Sequence, residues 1–222
     1  GIMLAEHVER GADMSIACLQ VPLEEATQLG VMTVGAGDRI VAFAEKPARP
    51  AALPDRPGQA LASMGIYVFD TAFLVRELER DAADEHSSHD FGKDLIPRLV
   101  GCAHVHAHRF EASCVNMVGE RAYWRDVGTL DAYWEANLDL THVVPELNLY
   151  DKDWPMLGRQ AHHPPAKFVF DDAGRRGVAI DSLVSGGCIV SGALVRRTIL
   201  FSDTRVAEGS VIEDSVVLPH VQ

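Results

Sequence analysis

The sequence predicts an α/β domain with a mixed, Rossmann-like sheet, followed by the first coils of a left-handed parallel β-helix. Three observations carry this expectation. Short apolar runs alternate with helical patterns as far as about residue 140. An aperiodic stretch containing four prolines follows, from Val143 to Pro165. Beyond it, aliphatic residues recur at steps of six.

Met3 to Arg10 reads as helix. Ser15 to Val21 is mostly apolar and reads as a buried strand. Gly30 to Val34 and Arg39 to Ala44 form a hairpin pattern around Gly35-Ala36-Gly37-Asp38. Pro47 to Gln59 is rich in Pro and Ala, a loop composition. Met64 to Phe69 is a further strand. Asp70 is suited to cap a helix that carries Phe73, Leu74 and Leu78 on one face. Asp84 to Ser88 is polar, Asp90 to Leu99 reads as a short helix with Asp90 as its N-cap, and His104 to Phe110 alternates as a strand. Thr129 caps a helix bearing Leu130, Tyr133, Trp134 and Leu138.

In the last part, Leu183, Ile189, Val195 and Phe201 fall at steps of six. After a step of five, Val206, Ile212 and Leu218 resume it. Six residues per side is the signature of a triangular coil whose aliphatics point to its axis. The expected division is therefore an α/β domain over 1–145, a linker over 146–180 and β-helix coils over 181–222. The opening reads as mid-helix and the final residues stop inside the repeat, so the chain is expected to be part of a longer protein.

A chain of 222 residues with 47% hydrophobic content can bury a substantial core. Its net charge of −12 argues against nucleic acid and against an anionic membrane surface as partners. No apolar run is long enough to span a bilayer. Four cysteines without a C-x-x-C pair, two of them flanked by aliphatics (Cys18 and Cys188), fit buried thiols in a reducing cytoplasm.

Glu45-Lys46-Pro47 closes a strand pattern, and Trp124-Arg125-Asp126-Val127-Gly128-Thr129 leads into a helix. A carboxylate beside an ammonium, with a second carboxylate at the mouth of a helix, suits a sugar phosphate and a metal. The first carboxylate accepts from hydroxyls, the ammonium neutralises phosphate, and the second can hold Mg²⁺. Each residue also has a plainer explanation. Glu45 and Lys46 could be a solvated pair, although Pro47 ends the ladder and bends the chain. Ser63 could satisfy a backbone group, Gly30 could be a turn glycine, and Asp126 could cap the helix. His86, His89 and Asp90 read as a polar loop entering a helix rather than as metal ligands. His104, His106 and His108 read as a solvated strand face rather than as a metal trio.

Phe43-Ala44-Glu45-Lys46-Pro47, Ala62-Ser63-Met64-Gly65-Ile66-Tyr67, His89-Asp90-Phe91-Gly92-Lys93-Asp94 and Tyr123-Trp124-Arg125-Asp126-Val127-Gly128-Thr129 decide between these readings. In this order and spacing the chain resembles the bacterial glucose-1-phosphate adenylyltransferases, over its whole length. The resemblance implies that Glu45 and Lys46 bind glucose 1-phosphate, through hydroxyls and phosphate respectively, and that Ser63 faces the sugar. It implies close backbone approach to the sugar at Gly30, in a word where Leu29 replaces the family's Phe. It implies that Asp126 coordinates Mg²⁺. It further implies ATP as co-substrate, ADP-glucose and diphosphate as products, a place in glycogen synthesis, and an allosteric homotetramer in the cytoplasm. Family members bind ATP through an N-terminal Gly-rich loop. These 222 residues contain no such loop and are expected to be inactive alone. A sister sugar-1-phosphate nucleotidyltransferase and a non-catalytic regulatory subunit of the same fold are the alternatives. A hexapeptide acyltransferase fits less well, because residues 183–218 contain no histidine.

Overall fold

The computed structural model describes residues 1–114, 117–118, 121–152, 155–158, 161–172 and 174–222. It divides into two compact units, Gly1–Cys114 and Val115–Gln222. In the first, α1 (Ile2–Glu9) leads to β1 (Met14–Pro22), the short α2 (Leu23–Ala26), β2 (Gly30–Val34) and β3 (Ile40–Glu45). Then come β4 (Gln59–Phe69), α3 (Thr71–Ala82), a wide turn over Phe91–Leu95 that runs into α4 (Ile96–Val100), and β5 (Val105–Arg109). The sheet order is β3-β2-β4-β1-β5. β1 runs antiparallel to β4 and parallel to β5, so the sheet is mixed as expected. β4 starts four residues ahead of Ser63, earlier than its composition indicated, because Gln59 to Ala62 pair with Pro22 to Leu19.

Asp70 caps α3, its Oδ1 accepting from the Phe73 amide at 2.8 Å. The buried face of α3 differs from the predicted apolar stripe: it carries Phe73, Glu77 and Asp81, while Leu78 is exposed. Glu77 faces the Arg98 guanidinium at 3.2 Å, so a partner rather than hydrophobicity makes its burial tolerable. β5 also corrects an expectation. His106 and His108 are buried, not solvated. Glu6 of α1 lies over them, its Oε2 at 2.6 Å from His108 Nδ1 and 3.6 Å from His106 Nε2. A strand covered on both faces loses the alternation that marks a half-exposed one.

The second unit holds a two-residue ladder of β6 (Met117–Val118) and β7 (Arg121–Ala122), then α5 (Leu130–Asp139). Nine short strands follow: β8 (Lys167–Val169), β9 (Val178–Ile180), β10 (Leu183–Val184), β11 (Ile189–Ser191), β12 (Leu194–Arg196), β13 (Ile199–Leu200), β14 (Arg205–Val206), β15 (Val211–Glu213) and β16 (Val216–Val217). They form three parallel ladders, β10-β13-β16, β14-β11-β8 and β15-β12-β9, the three sides of a β-helix. β8 and β9 fall inside the stretch predicted as linker, which the ladders thus shorten; residues 153–154, 159–160 and 173 of that stretch lie outside the described residues. α5 packs on β16, with the Trp134 indole donating to the Asp214 carbonyl at 2.7 Å. The contact boundary therefore precedes the sequence boundary at 145.

The coils close every 16 or 17 residues, as Leu183, Ile199 and Val216 stack in register. Asp181, Arg197 and Asp214 repeat at that interval with φ of 46°, 44° and 46°, and Gly187, Asp203 and His220 with 80°, 60° and 63°. These left-handed residues turn the corners, a conformation in which Asp is among the better-tolerated side chains. The inward residues are Val184, Val190, Val195, Leu200, Val206, Ile212 and Val217. Four of the seven predicted marks are therefore one position off. Paired aliphatics such as Leu183-Val184 and Ile189-Val190 leave the inward member undefined, and a slip of one reverses the face.

Candidate sugar-phosphate site

Glu45 ends β3 and pairs in register with Gly30, which opens β2. β2 pairs with β4 at Val31–Ala62. One step further along this antiparallel ladder, Gly30 comes beside Ser63. Three of the predicted residues therefore meet side by side on three adjacent strands, at the ends of β2 and β3 and in the middle of β4.

Glu45 is half-buried, with its carboxylate between two glycines. A Cβ on Gly30 would lie 2.9 Å from Glu45 Oε2, and one on Gly92 would lie 2.8 Å from Glu45 Cδ. Ordinary carbon contacts need about 3.5 Å or more. Both positions must therefore lack a side chain if Glu45 is to keep this place. Gly30 would also run into the Phe43 ring.

Lys46 follows with φ of 46°. Its amide still donates to the Leu29 carbonyl at 3.0 Å. Left-handed backbone is rare for lysine, and a residue before proline is normally extended. Strand alternation is thus broken at Lys46 itself, one residue ahead of the proline expected to do it. Glu45 and Lys46 form no ion pair with each other, and among the described residues no carboxylate neutralises the exposed Lys46 ammonium. Backbone strain beside an unneutralised charge is commonly stored at functional sites.

Ser63 is buried, and its Oγ accepts from the Gly65 amide at 3.2 Å. It therefore does satisfy a backbone group, as its plainer explanation held, while it also hydrogen-bonds Tyr67. The Tyr67 hydroxyl is held above the usual phenol range, chiefly by burial. The Ser63 bond opposes this, and the charges of Glu45 and Asp90 add to it.

Tyr67, Asp90, Phe91 and Gly92 stand in the sequence words with no predicted role at the site. The structure brings them to it. Phe91 stacks on Tyr67 with ring centroids 5.7 Å apart and planes 10° apart. Asp90 caps the turn, Oδ1 accepting from Gly92 and Lys93 at 2.8 and 2.9 Å, as predicted. A capping Asp followed two residues later by a glycine was the available signal. It does not reveal that the glycine faces a carboxylate from another strand.

Asp126 lies in the second unit, exposed, in the segment before α5. It does not cap that helix: Thr129 does, its Oγ1 accepting from Ala132 at 3.1 Å. Among the described residues no cation pairs with the Asp126 carboxylate. A free hard-oxygen donor fits Mg²⁺, which takes one or two carboxylates and completes its shell with water and phosphate. Arg125 is engaged elsewhere, at 3.1 Å from Glu146 and 3.7 Å from Asp139.

A sheet end with a glycine-walled carboxylate and an unpaired ammonium, joined in one chain to β-helix coils, defines a class. Residues 2–143 match the nucleotidyl transferase family, and residues 164–222 match the GlmU-like C-terminal hexapeptide family. The chain belongs to the nucleotidyl transferase family. Its three ladders fit a left-handed β-helix of hexapeptide type.

Among its relatives is the glucose-1-phosphate adenylyltransferase of Nitrosomonas europaea, 61% identical over all of this chain and 51% of that protein. The proteins of the same name from Nitrosospira multiformis and Methylobacillus flagellatus are 60% and 62% identical, over 99% and 100% of this chain and 52% of each relative. The chain spans about half the length of the curated relatives it matches. Among the described residues no helix is long and apolar enough to cross a membrane.

Proposed function

We propose that these residues are the sugar-phosphate half of a cytoplasmic glucose-1-phosphate adenylyltransferase, which joins ATP and α-D-glucose 1-phosphate into ADP-glucose and diphosphate for glycogen synthesis. On this reading, residues 1–145 belong to the catalytic domain and the β-helix serves an allosteric homotetramer. The observation that carries it is Glu45, seated between Gly30 and Gly92 and followed by the strained, unneutralised Lys46.

Lys46 would hold the sugar phosphate as a point charge, which tolerates the reorientation of that group during attack. Glu45 and the Ser63 hydroxyl would bind sugar hydroxyls, and Gly30 would let the backbone approach the ring. Little covalent work falls to the protein. Fixing the phosphate oxygen in line with the α-phosphorus converts a two-substrate encounter into a positioned one. Asp126 would hold Mg²⁺, whose charge steadies the phosphates of both reactants.

The test is Lys46→Ala in the full-length enzyme. A charge-assisted bond to phosphate contributes about 1.5–3 kcal/mol, so KM for glucose 1-phosphate should rise by roughly ten- to a hundredfold while KM for ATP stays nearly constant. A change confined to the ATP constant would remove the proposal.

A further inference from the structure

We propose that Asp81 and His89 are positioning residues, which hold the Asp90–Gly92 wall of the sugar-phosphate site against Glu45; this rests on the function proposed above. Asp81 is only 6% exposed and lies in the last turn of α3. A carboxylate there is disfavoured twice, by lost hydration and by the negative end of the helix dipole. Glu77, one turn earlier, has Arg98 as its ion-pair partner. Among the described residues no Lys or Arg lies within ion-pair distance of Asp81.

Its side-chain hydrogen bonds, among the described residues, run to the loop that leads into the site. Oδ1 accepts from Ser87 Oγ at 2.8 Å, and Oδ2 lies 2.9 Å from His89 Nδ1. Those two bonds, His89 first, hold the carboxyl below the usual range. His89 itself has φ of 59°, a left-handed conformation that is uncommon outside glycine. Asp90 follows directly and caps Gly92, whose Cα faces the Glu45 carboxylate. From the other side, Asp94 Oδ2 accepts from the amides of Ser88 and Asp90 at 3.2 and 3.1 Å. The loop is thus tied at both ends, to α3 through Asp81 and to the following turn through Asp94. Without the Asp81 tie, the segment ahead of Gly92 is left to the Asp94 bonds, and the Gly92 wall beside Glu45 loosens. Sugar-hydroxyl recognition suffers, while the charge of Lys46 on phosphate is untouched.

The experiment compares His89→Gly, Asp81→Asn, the double variant and Lys46→Ala in the full-length enzyme. Glycine suits φ of 59°, so His89→Gly removes the imidazole without adding backbone strain. Asp81→Asn keeps the shape and the acceptor for Ser87. Each single variant should raise KM for glucose 1-phosphate about two- to tenfold, the worth of one hydrogen bond, with KM for ATP and Tm close to wild type. The double variant should be no worse than the worse single, because both act through one contact. If Lys46→Ala raises the sugar-phosphate constant but both singles leave it unchanged, or move both substrates' constants along with Tm, the positioning role is overturned and the site stands. If Lys46→Ala itself leaves that constant unchanged, the site is misassigned and the positioning role falls with it.

Discussion

Two glycines, one in each unit, sit against a carboxylate and mean different things. Gly92 faces Glu45, and Gly187 faces Asp203; a Cβ on either would run into the acid. Gly187 has φ of 80° at a β-helix corner, and its acid belongs to the next coil's equivalent corner, 16 residues on. There the close approach is a stacking requirement, repeated by the architecture. Gly92 has no left-handed backbone to explain it, and its acid comes from a distant strand. There the close approach shapes a single side chain. On the proposed function, periodic structure in the second unit and individually placed groups in the first divide scaffold from chemistry, with one exception. Asp126 is placed in the second unit.

That exception yields the largest expected effect. Asp126→Asn in the full-length enzyme should lower kcat by roughly a hundredfold or more, since metal charge supplies several kcal/mol of transition-state stabilisation. Thermal stability should hold, because Thr129 and not Asp126 caps α5. Thr129→Ala is the contrast: about 1 kcal/mol of helix stability lost with the Mg²⁺ dependence of the rate unaltered. Near-normal kcat in Asp126→Asn would return the second unit to scaffold alone.

The glycines come next. Gly92→Ala should displace the Glu45 carboxylate and raise KM for glucose 1-phosphate about tenfold, with little loss of Tm. Gly187→Ala should do the reverse. It forces a left-handed alanine into Asp203, costing about 1–3 kcal/mol, and should leave both substrate constants alone. Matching effects of the two on Tm would erase the distinction between the units.

The same division governs what could be read from sequence. Strand-and-helix alternation marked the mixed sheet because β1 and the second half of β4 are mostly apolar runs. The step of six marked the coils because aliphatics recur there whatever lies between. Its register was not legible, since Ile199-Leu200 and Val216-Val217 offer two aliphatics for one inward place. Gly30, Glu45 and Ser63 were legible as parts of recurring words, and the ladder then brings them together. Gly92 was not, because its role depends on tertiary approach to Glu45, a strand residue 47 positions earlier; nor was the Asp81–His89 contact, which depends on how the loop after α3 folds back onto that helix. The burial of His106 and His108 escaped for the same reason: a polar alternation looks solvated until a helix is laid over it.

Acid sensitivity gives the smallest and most local contrast. His106 is held below its ordinary 6.5, first by burial and next by the charge of Arg10, against Glu6 and Asp38, which raise it. A group with a depressed value in the folded state contributes fully above its unfolded value and loses that contribution as pH falls toward the folded one. For His106 the loss begins near pH 6.5. In the second unit the depressed group is Asp214, lowered first by its hydrogen bond to Arg197 from an ordinary 3.8. Its contribution is intact until pH falls below about 4. Between pH 7 and pH 5, amides of β5 should lose exchange protection, after correction for intrinsic rates, while those of β12 keep theirs. His106→Gln should flatten the β5 response over that range. Equal loss in β5 and β12 at pH 5, or an unflattened response in His106→Gln, would show that the buried histidine is not what sets the first unit's sensitivity.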